Sequence, residues 1–68
     1  MKSSRLKAER EGRGWSQAKI AEVLGIHSET VSRWERGVAL PQPYYRERLS
    51  DLFGKTIEEL GLLADAQE

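Results

Sequence analysis

Apolar residues recur along this chain at three- and four-residue steps, and no stretch alternates apolar and polar as a strand would. The spacing predicts five helices. The first covers about Ser4 to Glu11, with Ser3 or Ser4 as its cap and Gly12 and Gly14 as its stop. The second opens at Ser16, a good N-cap residue, with Trp15 and Ile20 placed to pack across the cap as a hydrophobic staple. Gly25 ends it. The third starts near His27 or Ser28 and stops at Gly37. Pro41 and Pro43 break the loop that follows, and Pro43 suits the first turn of a fourth helix reaching Phe53. Gly54 closes that helix, and Thr56 with Glu59 forms a T-x-x-E capping box for the fifth. The predicted core includes Val31, Leu49, Leu52, Phe53, Ile57, Leu60 and Leu63, with residues 64–68 frayed.

With 68 residues the expected domain count is one, spanning residues 1–68. The chain has no cysteine, and one histidine does not make a metal site, so neither a metal nor another cofactor is implied. The start, MKSSRLKAER, is charged and has no apolar stretch of the signal-peptide kind, and no segment approaches a membrane span. A cytoplasmic protein is the expectation. Net charge is zero, but it is unevenly placed. Residues 1–20 carry net +4, residues 21–37 net −1 and residues 38–68 net −3. Such polarity can orient a small protein on a polyanion, and it is equally compatible with an unevenly charged solvated surface.

Residues 17–37, QAKIAEVLGIHSETVSRWERG, narrow the choice. Small residues fall where two short helices cross closely, with Ala21 in the first and Gly25 in the turn, and branched Val31 follows six positions on. Packing of this kind leaves the polar face of the second helix outward, which is the geometry of a helix-turn-helix. At SQAKIAEVLGI, at ETVSRWERG and at the final IEEL, the chain resembles the repressor and Cro type of helix-turn-helix regulators, the XRE-like family. The resemblance covers residues 5–63, with Gln17, Ala21, Gly25, Val31, Glu35 and Gly37 all in register. It implies an all-α, compact five-helix domain of the lambda-repressor-like fold. It also implies binding of double-stranded operator DNA, often as a homodimer on two half-sites, in a bacterial or phage-like setting.

The resemblance places the outer face of the third helix in the major groove, and there Ser28, Glu29, Ser32 and Arg33 are the candidate base contacts. The residue chemistry fits. Arg33 can pair in bidentate fashion with guanine O6 and N7, and the serines can bond bases or phosphates with little preference. Glu29 can accept from a cytosine amine or hold Arg33 from one turn away, and the bland alternative is an ordinary surface pair. Candidate backbone contacts are Gln17, Ser16, His27, Arg36 and Arg10. Gln17 sits where its amide and the unpaired N–H groups of a helix start can donate to phosphate. His27 stands where the family usually has Ser or Thr as the N-cap; it either reaches a phosphate or sits at the helix entrance with Ser28 taking over the cap. By the resemblance, Arg10 pairs with Glu35 across the core while remaining free to face DNA. Arg5, Arg13 and Lys19 read as solvated charges, and the Val38–Gln42 loop lacks basic residues.

Two other classes compete. A helical protein-interaction module, as an antitoxin or a component of a multi-domain regulator, would use apolar surface such as Leu62 and Leu63. An enzyme would need a nucleophile–base pair, a metal cluster or a phosphate loop, and the sequence presents none. A complete small regulator, the front of a longer one and an engineered domain with a rewritten recognition helix all fit the pattern.

Overall fold

The computed structural model describes residues 5–62, which form five helices and, among the described residues, no strand. They are α1 (Leu6–Gly12), α2 (Gln17–Leu24), α3 (Ser28–Arg36), α4 (Pro43–Phe53) and α5 (Ile57–Leu60). None of them is long and apolar enough to cross a membrane. The core gathers Leu6 from α1, Ile20, Ala21 and Leu24 from α2, Val31 and Trp34 from α3, Leu49 and Phe53 from α4, then Leu60 and Leu62. Each helix thus contributes the residues that its three- and four-residue spacing turns to one side. Trp15, Ile26, Tyr45, Leu52 and Ile57 pack around this centre. Two ring contacts tie the layers together: Trp15 lies 5.5 Å from Phe53, and Trp34 lies 5.9 Å from Tyr45.

The predicted local signals are present where they were expected on α2, α4 and α5. Ser16 accepts from the Lys19 backbone N–H, Pro43 opens α4, and Thr56 and Glu59 cap each other reciprocally. The start of α1 differs. The helix begins at Leu6, and Arg5 stands at its N-cap without a side-chain hydrogen bond. The expected caps, Ser3 and Ser4, lie outside the described residues. The Arg5 backbone N–H instead donates to the Leu60 carbonyl at 3.0 Å, which fastens the entry of α1 to the end of α5.

The far end of the core also departs from the helical extrapolation. Gly61 turns the chain with φ 71°, and the Leu62 N–H bonds back to the Ile57 carbonyl at 3.1 Å. This turn drives Leu62 fully into the core. Leu62 is therefore not part of an outward apolar surface, as the interaction-module reading had it. Leu63 and residues 64–68 lie outside the described residues.

Candidate nucleic-acid interface

Two glycines frame α3. Gly25 caps α2 in the left-handed region at φ 73°, and Gly37 caps α3 at φ 75°. Only glycine enters this region without a Cβ penalty. The turn at Gly25 is closed by the Gly25 N–H and by the Ile26 N–H, which donates to the Ala21 carbonyl at 2.9 Å. Ala21 is buried and small, and α2 and α3 pack closely across it. Val31 and Trp34 then fix the rotation of α3 by entering the core.

That rotation decides which side chains face outward. At about 100° per residue, Ser28, Ser32, Arg36, Glu29 and Arg33 fall within an arc of roughly 140°, opposite Val31 and Trp34. Ser28, Glu29, Arg33 and Arg36 are exposed and Ser32 is half-buried. All four sequence-predicted base contacts therefore share one face, and Arg36 joins them there. Glu29 lies in the first turn of α3 and Arg33 and Arg36 in the last, an order that suits the helix dipole. Glu29 Oε2 lies 3.6 Å from Arg33 Nε and 3.1 Å from Arg36 Nη2.

His27 is the N-cap residue of α3 with extended backbone, is exposed, and makes no side-chain cap hydrogen bond. Ser28 is the first helical residue, so it does not take over the cap. The Ser16 hydroxyl oxygen is occupied by the Lys19 N–H at 2.9 Å, which leaves its own proton to donate outward. Gln17 opens α2, and its side-chain amide donates to Glu35 Oε1 at 2.9 Å. One amide hydrogen of Gln17 is thereby committed to the protein, and the amide group is oriented by it.

Arg10 is the clearest correction. Its residue is 7 % exposed, and its guanidinium donates from Nε and Nη2 to the two oxygens of Glu35 and from Nη1 to the Trp15 carbonyl. The Glu35 hydrogen bond raises the Arg10 pKa above its ordinary value, while burial acts in the opposite direction. The pair expected from the resemblance is present, but Arg10 is not free to face DNA. Burying a cation demands that its donors be used, and here the core uses them. Arg10 instead orients Gln17 through the shared carboxylate.

Arg13 was read as a solvated charge and has a structural part. Its Nη2 donates to the Phe53 carbonyl at 2.8 Å, its Nη1 meets Glu9 at 2.8 Å, and its guanidinium lies 4.9 Å from the Phe53 ring centre. It thus satisfies a carbonyl at the end of α4. In the loop after α3, which lacks basic residues, the Val38 and Ala39 N–H groups both bond to the Arg33 carbonyl, so neither is left for a phosphate. Val38 and Leu40 are themselves exposed, as is Tyr44 at the start of α4.

Comparison with known proteins agrees with this geometry. No curated protein and no solved structure gives a significant match. Residues 6–60, all five helices, match the helix-turn-helix family model. The chain belongs to the Cro/C1-type, XRE-like helix-turn-helix family of DNA-binding domains.

Proposed function

We propose that this domain recognises a specific double-stranded sequence by seating α3 in the major groove and acts as a repressor-like transcriptional regulator. The observation that carries this is the single outer face of α3, on which Ser28, Glu29, Ser32 and Arg33 stand together with Arg36. Arg33 supplies groove-directed donors, with Glu29 beside it one turn earlier on the helix, and the serines fill in around them. Gln17, Ser16, His27 and Arg36 anchor the domain to phosphate, with Gln17 aligned by Glu35. A second copy on an adjoining half-site completes the proposal, because a short face of this kind reads few base pairs.

Selection from random duplexes followed by a salt titration tests this. A defined site should emerge, with half-sites about one helical turn apart. Arg36 is the fully charged member of these four phosphate contacts, so log affinity should fall against log salt with a slope of about −1 per domain and about −2 for a pair of domains. Binding that is absent, or indifferent to salt, would refute the proposal.

One observation favours the competing protein-interaction module: Val38, Leu40 and Tyr44 are large, apolar and exposed within seven residues of sequence. Analytical ultracentrifugation with and without duplex separates the two. A DNA-induced increase in sedimentation supports DNA recognition. A shift produced only by a protein partner supports the module.

A further inference from the structure

Glu29 stands one turn before Arg33 and two turns before Arg36, and it meets both through the same oxygen. Its Oε2 is 3.6 Å from Arg33 Nε and 3.1 Å from Arg36 Nη2. All three side chains are more than half exposed. Exposed pairs of this kind contribute little to stability, so the consequence of this arrangement lies in the shape and charge of the reading face.

Three features follow from the geometry. Arg33 is approached at Nε, which leaves Nη1 and Nη2 as an end-on fork, the pair of donors that fits guanine O6 and N7. Arg36 is held along the helix by the same oxygen, so any grip it takes on a phosphate competes with Glu29. Finally, the carboxylate itself is repelled by the polyanion whatever the sequence. A random duplex thus meets a penalty, and only a site presenting guanine to Arg33 returns the compensating contact.

We infer that Glu29 sets the sequence specificity of this domain as a positioning residue for Arg33 and Arg36. It presents Arg33 end-on to a guanine and suppresses binding that rests on phosphate alone. This inference rests on the proposed DNA recognition and adds to it the residue that discriminates and the base that is demanded.

The experiment compares the wild type with Glu29→Gln and Glu29→Asp on two labelled duplexes, the selected site and a scrambled version, by fluorescence anisotropy. Glu29→Gln should bind the scrambled duplex about three- to tenfold more tightly, and its ratio of selected to scrambled affinity should fall about tenfold or more. Glu29→Asp keeps the charge but loses reach, so it should bind the scrambled duplex weakly and still lose preference for guanine. In the free protein, the Arg33 Nε resonance should shift in Glu29→Gln while the melting temperature stays unchanged. If the wild type binds the selected site and Glu29→Gln keeps the same ratio, or changes both affinities in parallel, the inference fails and the proposed function stands. If the wild type binds neither duplex, both fail.

Discussion

Arg10 and Glu35, twenty-five positions apart, form a two-pronged ion pair, with Nε 2.6 Å from Oε2 and Nη2 3.1 Å from Oε1. Their side chains are 9 % and 3 % exposed. Truncating one partner leaves the other charge buried and unpaired, at a cost of about 3–5 kcal/mol. A single core of this size supplies net stability of about the same amount. Arg10→Ala and Glu35→Ala should therefore be largely unfolded at 25 °C by far-ultraviolet circular dichroism. The double variant Arg10→Met/Glu35→Leu removes both charges and keeps the volume, so it should fold and recover most of the loss. Two singly substituted proteins of near-wild-type stability would show that the pair is dispensable.

Gln17 shares Glu35 Oε1 with Arg10 and so links the buried pair to the proposed DNA surface. Its partner beyond the protein would be a phosphate, which carries no sequence information. Gln17→Ala should weaken binding to the selected and scrambled duplexes alike, by about 0.5–1.5 kcal/mol. Gln17→Glu should also lower folding stability, because it sets a second carboxylate beside Glu35. Anisotropy on both duplexes and urea denaturation check the two effects. A change of base preference at one position would contradict the phosphate assignment.

The parts of this fold that were legible in the sequence are those with local causes. Gly25, Gly37 and Gly54 cap helices because only glycine tolerates the turn, and Thr56 with Glu59 closes a capping box within four residues. The outer face of α3 follows from helical spacing once Val31 and Trp34 are assigned to the core. Contacts that depend on tertiary placement were not legible. Nothing local to Arg13 indicates that it reaches the Phe53 carbonyl forty positions away. Leu62 is inward because Gly61 breaks the helical spacing that pointed to Leu63. The Arg10–Glu35 pair was implied by resemblance, but its depth, which removes Arg10 from the DNA surface, is set by packing.

Glu9 links α1 to the far end of α4, accepting from Arg13 and lying 3.8 Å from Lys55. The Arg13 hydrogen bond holds its carboxyl below the ordinary value of 4.5, against a smaller opposing effect of burial and with help from Lys55. Because the folded pKa is depressed, the stabilisation is full above the unfolded value near 4.5 and is lost as pH falls through the folded value. Urea midpoints for the wild type and Glu9→Gln should therefore differ at pH 7 and converge at lower pH. A gap that stays constant down to pH 3 would mean that the charge of Glu9 is not what stabilises this corner.

Arg33 decides whether the outer face of α3 reads bases or only grips the backbone. Its side chain is 59 % exposed and meets Glu29 Oε2 at Nε, 3.6 Å away, which leaves the terminal Nη1 and Nη2 pair for an external acceptor. Arg33→Ala should lower affinity for the selected duplex by about 1–3 kcal/mol and leave the scrambled duplex less affected. Repeating the selection with this variant should yield a site that has become degenerate at one base pair. Arg33→Lys keeps the charge but loses the planar fork, so its salt slope should match the wild type while the same base pair loses its preference. An equal loss on every duplex, with the selected sequence unchanged, would instead make Arg33 a phosphate contact and leave base reading to Ser28, Glu29 and Ser32.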